Sequence, residues 1–224
     1  MWCDVKLLDL ILPARCVVCA APGEQLCPTC REELPRLRPP LCARCGKPTE
    51  WPVERCVECA GRRLAFASAR AAVAYDDRVR RLVRGWKERG LRTLAAAAAD
   101  AVAGALPPPE VAALTFVPAD RARGLERGYQ PAERLARELA ERWSLPVEPL
   151  LARTRPVARQ RGLSLAERRR NVAGAFAPAR KSPPRVCLVD DVYTSGSTVN
   201  AAASALRKGG ARCIEVVTFA RVVR

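Results

Sequence analysis

The chain has 224 residues, of which 49% are hydrophobic, and a formal net charge of +16 at pH 7. That hydrophobic fraction suffices for a core of ordinary size in one domain or two. The chain contains no histidine, which excludes Ser-His-Asp and Cys-His catalysis and any zinc site that mixes cysteine with histidine. The positive charge indicates phosphate-bearing partners. A high-GC genome, which enriches arginine and alanine, is the alternative explanation.

The N-terminal 16 residues are apolar, but Asp4, Lys6 and Asp9 interrupt the run. The segment is therefore neither a signal peptide nor long enough to span a bilayer. It predicts a short helix over residues 7–12, and no other stretch approaches transmembrane length. We therefore expect a cytoplasmic protein whose thiols stay reduced, where paired cysteines usually bind metal.

Four Cys-x-x-Cys pairs fall between residues 16 and 59. Each pair lets two thiolates hold one ion, and two pairs complete a closed, structural tetrahedral zinc site. The pattern predicts two zinc sites; a cross-braced pairing, disulfides and an iron–sulfur cluster are the alternatives. Sequential pairing divides the cysteines into two groups: Cys16, Cys19, Cys27 and Cys30, then Cys42, Cys45, Cys56 and Cys59.

The rest of the chain alternates between strand and helix patterns. Residues 1–60 are expected to form the N-terminal helix and zinc-binding module, and residues 61–224 a second domain. The predicted strands cover residues 67–75, 114–117, 186–189 and 212–223, and the predicted helices cover residues 77–87, 91–106, 130–143 and 199–208. This alternation is typical of an α/β fold with a parallel sheet.

The helix at residues 77–87 combines an apolar face with a basic one. The simpler interpretation is that the basic face is exposed to water and binds nothing. The alternative is a surface that follows a nucleic-acid backbone, with Trp86 stacking on a base. The basic residues are Arg78, Arg80, Arg81, Arg84, Lys87, Arg89 and, just beyond the helix, Arg92.

A second motif covers residues 186–198, VCLVDDVYTSGST. Its four leading apolar residues indicate a strand buried on both faces. Asp190 and Asp191 follow, at the end of the strand where open α/β sheets place their ligands. The small, hydroxyl-rich turn then leads into a helix, whose N-terminus suits a phosphate group.

This motif resembles the signature of the type I phosphoribosyltransferases, which bind 5-phosphoribosyl-1-pyrophosphate (PRPP). The resemblance implies a Rossmann-like parallel sheet, with Asp190 and Asp191 as catalytic-site residues beside the ribose hydroxyls and Mg²⁺ bound with PRPP. It also implies a loop that holds the 5′-phosphate, made of Thr194, Ser195, Gly196, Ser197 and Thr198.

Two basic loops are the further parts that the resemblance implies. One, at residues 118–128, would hold pyrophosphate. The other, at residues 154–171, corresponds to the flexible loop that closes over PRPP; an arginine-rich nucleic-acid contact is the alternative. The candidate residues are Arg121, Arg123, Arg127, Arg153, Arg161 and Arg168.

The chain as a whole resembles the ComF family, which is linked to competence and DNA uptake and joins N-terminal cysteine pairs to a phosphoribosyltransferase-like domain. The family sequence Arg-Gly-Phe-Asn-Gln-Ala corresponds here to residues 127–132, RGYQPA, with Gln130-Pro131 in place of Asn-Gln. The downstream matches are Arg153, Thr154, Gln160, Leu163, Arg168, Asn171, Val172, Ala175 and Phe176.

The resemblance implies a PRPP- and Mg²⁺-binding protein linked to DNA uptake. As an enzyme it would transfer the pentosyl group of PRPP to a nitrogen nucleophile and release pyrophosphate. The alternatives are a non-catalytic single-stranded DNA-binding factor, regulated through the PRPP pocket and working with a ComF-type helicase, and a nucleobase-salvage phosphoribosyltransferase. The acceptor is not identified, and the oligomeric state is open, a dimer included.

Overall fold

The computed structural model describes residues 14–120, 128–155, 172 and 174–223. Within these ranges, no helix combines the length and apolar character needed to cross a membrane. In chain order the elements are α1 (Pro28–Glu32), β1 (Ser68–Ala74), α2 (Asp77–Glu88), α3 (Leu94–Ala103), β2 (Ala113–Phe116), α4 (Pro131–Trp143), β3 (Leu151–Arg153), β4 (Phe176–Pro178), β5 (Arg185–Tyr193), α5 (Ser197–Lys208) and β6 (Cys213–Arg221).

A four-stranded parallel sheet forms the centre of the molecule, in the order β1-β6-β5-β2. Its central strand β5 carries the apolar run 186–189, whose members are all fully buried. Helices α2, α3 and α4 pack on one face, and α5 packs on the other face with the β3–β4 hairpin. The predicted α/β fold with a parallel sheet is confirmed.

Strand β5 is longer than the sequence predicted. The prediction ended it at Val189, but the strand continues to Tyr193 and includes both aspartates. Pairing explains the difference, because β2 accompanies β5 only as far as Val189, whereas β6 continues beside it to Tyr193. The acid pair therefore lies on rigid strand backbone where one neighbouring strand has already ended.

The remaining differences concern helix ends and a small hairpin. Helix α3 is shorter than the predicted helix at residues 91–106, and α5 begins two residues earlier than predicted, at Ser197. The antiparallel hairpin of β3 and β4 was not predicted. The predicted helix at residues 7–12 lies outside the described residues.

Both edges of the sheet are covered by irregular chain. Along β1 runs the segment 35–37 between the two cysteine groups, where the Leu37 N–H donates to the Ala72 carbonyl at 3.0 Å. Beside β2, the Leu114 N–H donates to the Pro146 carbonyl at 2.8 Å. Uncovered edges invite pairing with other chains, so these segments protect the sheet.

Each cysteine group contributes to one of the two hydrophobic cores. Cys16 and Cys30 belong to the core that contains Trp86 of α2. The four cysteines of the second group belong to the core on the α5 side, together with Phe66. The division between residues 1–60 and 61–224 stays a prediction.

Candidate functional site

The eight paired cysteines form the two sequential groups. Within each group all four Sγ atoms lie within 4.8 Å of one another. A tetrahedral site with Zn–S bonds of about 2.3 Å places its sulfurs about 3.8 Å apart. The Sγ atoms of Cys19 and Cys27 are 3.7 Å apart, as are those of Cys42 and Cys59. These distances are well beyond the S–S bond of roughly 2.05 Å in a disulfide. The sulfurs therefore fit zinc, and the sequential pairing is the one that the structure brings together.

The two four-cysteine groups suit a structural role. Four thiolates complete the coordination of zinc and leave no position for a substrate. The second group is the more enclosed: Cys42 and Cys59 are fully buried, whereas Cys19 of the first group is exposed. The metals would hold short loops that have little regular secondary structure, so their binding supplies folding free energy.

The acid pair lies at the carboxyl end of β5. The Asp191 N–H donates to Oδ1 of Asp190 at 2.9 Å. Burial raises the pKa of Asp190 to about 7, and the neighbouring charge of Asp191 adds to the rise. The positive charges of Lys87 and Arg153 oppose it. The Asp190 carboxyl therefore titrates close to neutral pH.

Lys87 is a site residue that the sequence did not single out. It stands near the end of α2, and its Nζ lies 2.5 Å from Oδ2 of Asp191. In the sequence, Lys87 belongs to the basic face of that helix. The only hint was that Lys87 is the one lysine among the arginines of that face.

The alternative in which Trp86 stacks on a base is excluded. Its side chain is fully buried and packs in the core with Leu82. The basic face beside it is also engaged within the chain, since Arg78 pairs with Glu33 and Arg84 pairs with Glu88. Helix α2 therefore contributes little unpartnered basic surface.

The turn between β5 and α5 is built around Gly196, the N-cap residue of α5. Its φ of +72° lies in the left-handed region, and a Cβ there would stand 2.2 Å from the Tyr193 hydroxyl. The hydroxyls of Ser195 and Ser197 lie 2.9 Å apart in this turn. A glycine N-cap has no side chain to cap the first turn, which leaves that end of α5 suited to a phosphate.

Arg221, in the last strand, is the second residue that sequence analysis missed. It is 1% exposed, and its guanidinium lies 4.4 Å from the centre of the Tyr193 ring. It donates to the Cys45 carbonyl at 2.6 Å and pairs with Glu58 at 2.8 Å. One buried arginine thus joins the second zinc group to the turn that begins α5.

Of the predicted basic-loop residues, the structure describes Arg153. It ends β3, donates from Nε to the Pro118 carbonyl at 3.2 Å and lies 5.0 Å from the centre of the Phe176 ring. Its positive charge also acts on Asp190, whose pKa it lowers. The others lie outside the described residues: Arg121, Arg123, Arg127, Arg161 and Arg168.

Comparison with protein families gives two matches along the chain. A double zinc ribbon domain matches residues 7–60, and a phosphoribosyl transferase domain matches residues 125–223. The parallel sheet and the two four-cysteine groups agree with these matches. Together they define a class of protein in which a double zinc ribbon precedes a phosphoribosyltransferase domain.

The chain matches known proteins over most of their length. The chain is 31% identical to competence protein F of Haemophilus influenzae, over 88% of this chain and 90% of that protein. It is 28% identical to DNA utilization protein YhgH of Salmonella typhi, over 96% of this chain and 100% of that protein. The chain belongs to the ComF family.

A solved structure gives a weaker match. A glutamine PRPP amidotransferase from B. subtilis, complexed with ADP and GMP, is 24% identical with a TM-score of 0.38. The match covers 58% of this chain and 26% of that one.

Proposed function

We propose that the protein binds PRPP together with Mg²⁺ where β5 leads into α5, and that this site serves DNA uptake. The supporting observation is the acid pair, in which Asp191 is buried and Asp190 is half-buried, placed a few residues before a helix whose N-cap is Gly196. Carboxylates accept hydrogen bonds from ribose hydroxyls, and a helix N-terminus attracts a phosphate. On this proposal the acid pair would bind the ribose hydroxyls, and the N-terminus of α5 would bind the 5′-phosphate.

The same residues suit release of pyrophosphate. Mg²⁺, which prefers carboxylate and phosphate oxygens, would be held at the acid pair when bound and would neutralise the leaving group. Arg153 adds positive charge beside Asp190, and fixed charges of this kind stabilise developing charge in a transition state. We therefore propose transfer of the phosphoribosyl group as the chemistry, with Asp190 and Asp191 orienting the sugar.

The wider role is proposed from the relatives. Their names refer to competence and DNA utilization, which supports a link between this chain and DNA uptake. A cytoplasmic location accords with two sites that need reduced thiolates. The ComF-type helicase partner and the nucleobase-salvage reaction stay predictions.

Replacing both acids should abolish PRPP binding. Asp190→Asn/Asp191→Asn keeps the side-chain shape but removes two charged acceptors. Each charged hydrogen bond contributes about 1.5–3 kcal/mol, so affinity for PRPP with Mg²⁺ should fall about 100-fold or more. Isothermal titration measures the change.

The matched control is Asp77→Asn, which removes an exposed carboxylate from the start of α2, where it pairs with Arg80. It should bind PRPP like the wild type. Unchanged PRPP affinity in the double variant would show that the site lies elsewhere. Binding without pyrophosphate release, across a screen of bases, amines and oligonucleotides, would favour a non-catalytic role.

A second candidate function is binding of single-stranded DNA, and a groove beside α5 favours it. The groove has a volume of about 430 Å³, and none of the described residues that line it is acidic. Its lining includes three cations, Arg62, Arg63 and Lys208, and the hydroxyl of Ser204. A basic groove of this kind suits a phosphate backbone.

Salt dependence tests this groove. For single strands the slope of log K against log salt changes by about 0.7 per phosphate contact. Replacing Arg62, Arg63 and Lys208 with alanine should therefore flatten the slope by about two units. The control, Arg80→Ala/Arg84→Ala on α2, should change it less. Equal changes in the two variants would argue against the groove.

A further inference from the structure

The acid pair is already occupied by a cation of the protein itself. The Lys87 side chain is 28% exposed and the Asp191 side chain 12% exposed, so their contact is largely shielded from water. Exposed ion pairs between flexible side chains contribute little, whereas a shielded pair is screened less. The positive charge of Lys87 is therefore a fixed part of the site.

Helix α2 holds Lys87 in this position through the first zinc group. The Arg81 guanidinium donates to the Val18 carbonyl at 2.8 Å, within the turn between the first two cysteines. A Cβ on Gly85 would lie 3.2 Å from the Val17 side chain, so the helix backbone packs closely against that turn. The neighbouring Trp86 is fully buried. The end of α2 is thus packed between the first zinc group and the sheet.

An ammonium group and a divalent metal ion compete for the same carboxylate oxygen. Mg²⁺ loses water reluctantly and is usually bound by one or two carboxylates together with substrate phosphates. With Lys87 in contact, Asp191 presents little uncompensated negative charge to a free metal ion.

We propose that Lys87 is a resident cation that excludes free divalent metal from Asp191, so that metal enters only with a phosphate-bearing ligand. This inference rests on the proposed function solely in assigning the metal to the acid pair. Because Lys87 neutralises the charge of Asp191, pyrophosphate oxygens would then supply the negative charge that binds the metal. They would also offer the ammonium group an alternative partner.

Mn²⁺ alone is the probe for this inference. The full, zinc-loaded chain is titrated with Mn²⁺ without PRPP, and free Mn²⁺ is followed by electron paramagnetic resonance. Lys87→Gln should bind Mn²⁺ about tenfold more tightly than the wild type, a typical size for coupling between two sites. Lys87→Arg keeps the charge and should remain at the wild-type level. The double change Lys87→Gln/Asp191→Asn should lose the gain.

Wild-type Mn²⁺ affinity in a folded Lys87→Gln variant would overturn the inference and leave Lys87 as a structural contact. Zinc content and tryptophan fluorescence, to which the buried Trp86 contributes, report folding. If Lys87→Gln does not fold, Lys87→Met keeps the apolar stem and decides the same question. PRPP titration of the wild type is a separate test: failure there overturns the proposed function, whereas a gain of Mn²⁺ affinity in Lys87→Gln still supports the inference.

Discussion

Strong chelation of zinc should unfold the described part of the cysteine module, residues 14–59, before the rest of the chain. Structural zinc contributes about 10–16 kcal/mol per site in small domains at neutral pH, and the two four-cysteine groups are the main organised feature of this segment. Limited proteolysis with added chelator should cut first within the module. The turn at Gly196 should then loosen, because Arg221 connects it to Cys45.

Substitution separates the metal from other effects of cysteine loss. Cys45→Ser should reproduce the proteolytic sensitivity and weaken PRPP binding, since Cys45 belongs to the second zinc group. The control is Cys213→Ser, which removes a partly buried cysteine that belongs to neither four-cysteine group. Proteolytic resistance that survives complete removal of zinc would count against the zinc assignment.

Gly196→Ala should be the most damaging single change near the proposed phosphate site. A Cβ there would stand 2.2 Å from the Tyr193 hydroxyl, with φ at +72°. The left-handed conformation costs about 1–2 kcal/mol for a residue with a Cβ, and overpacking costs about 1–3 kcal/mol more. Thermal unfolding should show the loss of stability, and PRPP titration should show the loss of binding.

Comparing Gly196→Ala with Gly61→Ala separates the steric cost from the conformational cost. Gly61 has a similar φ of +68°, but a Cβ there would meet nothing within 4 Å. We expect it to lose only the conformational part of the stability and to bind PRPP normally. Equal losses in the two variants would mean that contact with Tyr193 is unimportant.

The sequence predicted those features that local patterns encode. The apolar run at 186–189 identified a strand buried on both faces, and the spacing of the cysteines identified two metal groups. Helix α2 was predicted from the spacing of residues such as Val79 and Leu82. The same spacing places Trp86 on the apolar face, where the structure has it buried, and this position excludes the alternative of base stacking.

The site residues that were missed depend on contacts between distant parts of the chain. Lys87 reaches Asp191 only because α2 packs against the sheet beside β5. Arg221 is a charge at the end of β6, and its partners Cys45 and Glu58 belong to the module at the other end of the sequence. Residue type and periodicity carry no information about such pairs. Identifying them requires the packing of the whole fold.

The contact between Arg221 and Cys45 also sets the order in which these parts assemble during synthesis. The two residues are 176 positions apart, and a ribosome makes the chain from the N-terminus at roughly 5–20 residues per second. All eight paired cysteines have therefore left the peptidyl-transferase centre long before Arg221 is translated. The second cysteine group can therefore meet zinc first, and it gains its buried arginine only after β6 has been synthesised.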